Sequence, residues 1–140
     1  MKCNWTVKLN LNKFPNMIAN YFTYFKSIIQ QYTSIYTDFN FESKEYSNIK
    51  GFIGGKITFI DESQLDFIEV KDIEKEPKTK YKYHYMDKDK NLIFRYDNAE
   101  HHREIATFPH HKHTPNGIEE SKEPTIETIM EEIIRIITSY

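Results

Sequence analysis

Five of the chain's six histidines fall in one run, His101-His102-Arg103-Glu104-Ile105-Ala106-Thr107-Phe108-Pro109-His110-His111-Lys112-His113. Imidazole gives and takes protons near neutral pH, and its neutral form ligates metals. The run follows Phe94-Arg95-Tyr96-Asp97-Asn98, which adds a guanidinium for an anion and a carboxylate able to fix an imidazole tautomer. The sixth histidine, His84, alternates with Lys80 and Lys82. Histidine serves as general base and acid, and arginine and lysine stabilise charge on phosphoryl oxygens. Cleavage of RNA by its own 2′-hydroxyl needs only this set and no metal. The candidate catalytic residues are therefore His84, Arg95, Asp97, His101, His102, His110, His111 and His113. Lys80, Lys82 and Lys112 are the candidate phosphate contacts. Tyr83, Tyr85 and Tyr96 are either core aromatics or platforms on which bases stack.

Other chemistries fit less well. His111-x-His113 places two imidazoles on one side of an extended segment, with Asp97 or His102 as further ligands. The spacing matches no closed zinc pattern, and the helical His-Glu-x-x-His signature is absent. No cofactor is expected; a divalent metal ligated by histidines is the alternative, and with it a metal-dependent nuclease. Gly51-Phe-Ile-Gly54-Gly55 lacks the lysine-serine ending of a phosphate loop and reads as strand irregularity. A nucleophile elbow for Ser-His-Asp catalysis is missing. The bland reading is a set of solvated side chains, with Arg95 and Asp97 as a surface ion pair. A non-enzymatic module that binds nucleic acid or protein is the functional alternative.

The elements that must present these groups follow from hydrophobic period. Residues 16–35 place Ile18, Phe22, Phe25, Ile28, Ile29 and Tyr32 on one helical stripe, with Pro15 in the first turn and Asn12 or Asn16 as cap. Strands follow: Phe39 and Phe41 in alternation, then 49–60, then Leu65, Phe67, Ile68 and Val70. In Lys80–Tyr85, Tyr81, Tyr83 and Tyr85 oppose Lys80, Lys82 and His84. In Leu92–Asp97, Leu92, Phe94 and Tyr96 oppose Ile93, Arg95 and Asp97. The connections are too short for parallel crossovers. Residues 98–120, punctuated by Pro109, Pro115 and Gly117, read as a long loop, of a length that is usually either functional or disordered. A helix over 125–138 buries Ile126, Ile129, Met130, Ile133, Ile134 and Ile137, with Thr125 as N-cap and Glu127 in its first turn. The expected class is α+β: an antiparallel meander of four to five strands with an N-terminal and a C-terminal helix. One helix-free face shows Lys80, Lys82, His84, Arg95 and Asp97.

Size and charge set the bounds. A chain of 140 residues carries one core, here residues 16–140 with 1–15 as an extension. Ten Phe and ten Tyr favour pleated surfaces. The net charge of −2 excludes a strongly basic nucleic-acid binder but not a local basic patch such as Lys78-Lys80-Lys82. Cys3 is alone, so a cysteine-based zinc site is excluded, and a reducing, cytoplasmic setting is expected. No run of about 18 apolar residues predicts a membrane span, and no apolar leader is evident.

Three blocks carry a family resemblance: Tyr83-His84-Tyr85, then Phe94-Arg95-Tyr96-Asp97-Asn98, then Phe108-Pro109-His110-His111-Lys112-His113. With Gly55-Lys-Ile-Thr-Phe-Ile60, His101-His102 and Gly117-Ile-Glu-Glu-Ser121, the chain over about 50–138 resembles the TumE toxins of prokaryotic toxin–antitoxin systems. The resemblance implies a small toxin neutralised by a cognate antitoxin protein. By analogy with small α+β toxins similar to RelE, and with barnase in general shape, it implies an endoribonuclease that inhibits translation. An RNA substrate goes with that reading, and a homodimer is compatible with it. Two departures stand out: Glu62 occupies a turn position where glycine is expected, and Glu100 precedes the histidine pair where proline often stands.

Overall fold

The computed structural model describes residues 17–139. The expected extension 1–15 and the candidate caps Asn12 and Asn16 lie outside the described residues. Helix α1 (Ile18–Gln30) is followed by strands β1 (Tyr36–Glu45), β2 (Lys50–Phe59), β3 (Gln64–Asp72), β4 (Lys80–Met86), β5 (Leu92–Asp97), β6 (His111–Thr114) and β7 (Gly117–Glu120), then helix α2 (Ile126–Ile137). All strands form one sheet in the order β1-β2-β3-β4-β5-β6-β7, each antiparallel to the next. The α+β meander between two helices is as expected, but the sheet has seven strands rather than four or five. The surplus comes from 98–120, expected to be all loop. Its last ten residues fold as the β6–β7 hairpin, whose two-residue turn Pro115-Asn116 ends on Gly117 at φ 124°, a left-handed conformation that suits glycine.

Both helices cover one face of the sheet. Ile18, Phe22, Phe25, Ile28 and Ile29 of α1 and Ile126, Ile129, Met130 and Ile133 of α2 share a core with Ile53, Ile57, Phe67, Tyr81, Tyr83, Tyr85 and Phe94. The approach is close: a Cβ on Gly51 would stand 2.8 Å from Phe22 Cζ. Met17, which offers no side-chain bond, caps α1, so that helix depends on packing. Thr125 caps α2 as expected, in a reciprocal pair with Thr128. Glu62 has φ 69°, which explains why glycine suits that turn. Among the described residues no helix is long and apolar enough to cross a membrane.

Candidate functional site: an imidazole cluster around Asp97

The sheet's other face carries most of the candidate residues, and the register dictates their layout. One row runs Asp66, His84, Arg95, His113, Ile118 across β3 to β7. The neighbouring row runs Ile68, Lys82, Asp97, His111, Glu120. Directly opposed residues sit about 4.5–5.5 Å apart between Cα atoms. Arg95 is therefore flanked by His84 on one strand and His113 on the other, and Asp97 by Lys82 and His111. The hairpin missing from the sequence reading is what places His111 and His113 beside Arg95 and Asp97.

Asp97 organises the centre. Its Oδ1 lies 2.9 Å from His111 Nε2 and accepts the Ala99 N–H at 3.0 Å. Its Oδ2 accepts from Arg95 Nε at 3.2 Å and stands 3.5 Å from His113 Nε2. The second ring nitrogen of His111, Nδ1, lies 2.9 Å from the Pro109 carbonyl. Both nitrogens of this ring, 2 % exposed, thus face acceptor oxygens. Arg95 Nη2 lies 3.1 Å from His113 Nε2, and since guanidinium only donates, that nitrogen accepts. His102 closes the group from the loop: its ring centroid is 5.3 Å from His111 and 5.8 Å from His113. It has φ 59°, a conformation uncommon outside glycine and frequent at functional sites.

The remaining candidates divide. Lys80 and Lys82 line the same cleft, about 1080 Å³ in volume, together with Arg95, Asp97, His101, His102, His110, His111 and His113. His101 is exposed at its rim, 6.3 Å from His102. His110 is turned aside: it stacks on Tyr81 at 5.8 Å and 15°, with Nδ1 2.9 Å from the Tyr81 hydroxyl. Four proposed substrate contacts are on the helix-covered side instead. Tyr83 and Tyr85 are fully buried core residues there, so neither is open to a base. Tyr96 donates to Glu132 at 2.6 Å, and Lys112 bonds the same carboxylate at 2.8 Å, tying β6 to α2. Strand parity is the cause, since Lys112 sits between two histidines that face the other way.

Sequence reasoning missed three supporting groups. Tyr81 positions His110. Asn98 accepts the Tyr81 N–H at 3.0 Å and donates to the Thr79 carbonyl at 3.3 Å, closing the cleft's end. The Pro109 carbonyl holds His111. The alternation of 81–85 was the signal available for Tyr81; backbone carbonyls leave none.

Charge tunes the imidazoles. His113 is held below the ordinary histidine range by burial and by Arg95, with Asp97 opposing. His84 is lowered by burial first, then by Arg95 and Lys82, while Asp66 opposes. Burial raises the Tyr81 phenol, with Glu123 and Asp97 adding to it, so it keeps its proton. We expect the His84 ring to titrate below about 6.5, the unperturbed value, and Arg95→Gln to raise its midpoint. Imidazole proton shifts followed by NMR across pH check this; an unmoved midpoint in Arg95→Gln denies the coupling.

Comparison with curated proteins and with solved structures returned no match. The family described as toxin TumE matches residues 25–140, a span that holds the whole sheet, both charged rows and the clustered imidazoles. The chain belongs to the TumE toxin family.

Proposed function

We propose that this toxin arrests growth by cutting RNA at the Arg95 centre through general acid–base chemistry. The reading rests on one observation: a guanidinium stands between two imidazoles, His84 and His113, on the face opposite the helices. Arg95 binds a phosphodiester, and Lys80 and Lys82 hold flanking phosphates. One of the flanking imidazoles takes the proton of the ribose 2′-hydroxyl. The 2′-oxygen attacks phosphorus, the bond from phosphorus to the 5′-oxygen breaks, and the other imidazole protonates that leaving oxygen. The products are a 2′,3′-cyclic phosphate and a 5′-hydroxyl. Asp97 and buried His111 act as positioning residues for Arg95 and His113. Membership in a toxin family implies an antitoxin partner, which would neutralise the protein by direct binding.

Purified protein incubated with bulk RNA in the presence of chelator is expected to yield fragments ending in cyclic phosphate, and RNA carrying 2′-deoxyribose at the cut site is expected to resist. His113→Ala should slow cleavage by about 10²–10⁴-fold and relieve growth arrest on expression without antitoxin. Intact RNA held in a salt-sensitive complex would replace this reading with a binding module.

A further inference from the structure

We propose that His102, His111 and His113 form a site for one divalent transition cation of the nitrogen-preferring class, with Zn²⁺ as its type member. One ring nitrogen from each residue lies within 4.8 Å of the others. A tetrahedral ion with nitrogen ligands at 2.0–2.1 Å needs them roughly 3.3 Å apart. Closing that difference takes under about 1 Å of inward movement per ring. His102 and His113 are only partly buried, while buried His111 is the fixed member. The rings meet edge to face at 70–73°, so none stacks flat upon another and blocks the space between them.

Three features fit a cation. First, two of the rings turn a nitrogen to an oxygen, as rings around bound metals do: His111 Nδ1 to the Pro109 carbonyl at 2.9 Å, and His102 Nδ1 to Glu104 at 3.5 Å. Second, His111 Nε2 then meets Asp97 Oδ1 at 2.9 Å as one acceptor against another unless a positive centre lies between them. Either a second ring proton or a metal ion supplies it, and the carboxylate is the natural fourth ligand. Third, the backbone is built for convergence. His111 and His113 share a strand face two residues apart, and left-handed His102 meets them from the loop. Arg95, 3.1 Å from His113 Nε2, opposes an incoming cation, and Asp97 offsets it. Imidazole donors select against Mg²⁺ and Ca²⁺, which prefer oxygen.

The site has a consequence that rests on the cleavage reading. A cation coordinated by His113 takes the lone pair that proton transfer needs, so metal and acid–base chemistry compete for one ring. Bound Zn²⁺ switches cleavage off.

The test starts with full-length protein stripped by chelator and titrated with Zn²⁺ against a chromogenic chelator, with Mg²⁺ in parallel. One Zn²⁺ per chain and no Mg²⁺ uptake are expected. His102→Ala and His113→Ala should each weaken uptake by at least about tenfold, and His84→Ala should keep it; circular dichroism confirms that each variant is folded. Failure to take up one Zn²⁺, or uptake unchanged in both variants, overturns the site. RNA cleavage is then read against zinc occupancy. A fall in step with binding supports the competition, whereas cleavage that requires Zn²⁺ overturns the competition and leaves the site standing. Absence of RNA cleavage under every condition sinks the ribonuclease reading alone, because uptake decides the site.

Discussion

Asp97→Asn is expected to abolish growth arrest and to slow RNA cleavage by about 10²–10⁴-fold, with little loss of stability. The substitution preserves shape and changes only what the two terminal atoms can do. One carboxylate oxygen now meets Arg95, another His111 and the Ala99 N–H. Asparagine keeps its one carbonyl oxygen for Ala99 and His111 and presents an NH₂ group towards Arg95. A donor facing a donor releases the guanidinium from its place beside His113. Asp97 is buried, so alanine would leave a gap and confuse lost function with lost packing. The measurements are growth on expression without antitoxin, cleavage rate on a defined RNA, and the thermal midpoint. A folded variant of full toxicity would remove Asp97 from the mechanism.

The largest effect on stability is expected from Lys78→Met, about 3–5 kcal/mol at neutral pH. Lys78 Nζ stands 3.3 Å from Glu69 Oε2, with side chains 6 % and 0 % exposed. It also donates to the Pro124 carbonyl and, at 3.3 Å, to the Tyr83 hydroxyl, while Tyr21 donates to the other Glu69 oxygen. The group thus joins α1, β3, β4 and the approach to α2. Removing the ammonium leaves a fully buried carboxylate without its ion-pair partner. Burial already raises the Glu69 pKa, with Lys78 and Tyr21 pulling it down. Without Lys78 it rises further, so the folded variant binds more protons than the unfolded chain above the ordinary glutamate range. Its stability therefore falls as pH rises, and the deficit against wild type is smaller at pH 5 than at pH 8. Glu69→Leu combined with Lys78→Met should recover most of the loss, because neither charge is then stranded. Urea denaturation at the two pH values measures all of this; a deficit under about 1 kcal/mol for Lys78→Met would mean that the pair is solvated.

What the sequence disclosed depends on how far each pattern ran. Thirteen residues of α1 and twelve of α2 carry enough apolar repeats to reveal their period. Lys80–Met86 and Leu92–Asp97 alternate long enough to assign faces, and the open-face set Lys80, Lys82, His84, Arg95 and Asp97 follows from that alone. Strands β6 and β7 have four residues each, and their alternation is of His against Lys and of Ile against Glu. A search for hydrophobic period passes over them, although Asn116-Gly117 is a hairpin signal in its own right. Without that hairpin Lys112 reads as a phosphate contact, although parity turns it towards Glu132. Glu69 was hidden differently. Phe67 and Ile68 are both apolar, so the sequence does not say which of them faces the helices, and the charge that shares the face of Phe67 went unnoticed. The candidate site was legible as a set of residues, but its internal order was not, because Asp97, His111 and His113 meet only through pairing of β5 with β6.

Since strand order in the sheet is also order along the chain, every strand finds its neighbour in place as translation delivers it. The first five lay down the guanidinium and the carboxylate; the imidazoles at 111 and 113 come sixth, and the Glu132 clasp on Lys112 comes last of all. On the proposed reading, the cutting centre is assembled only when the sixth strand has joined the five before it.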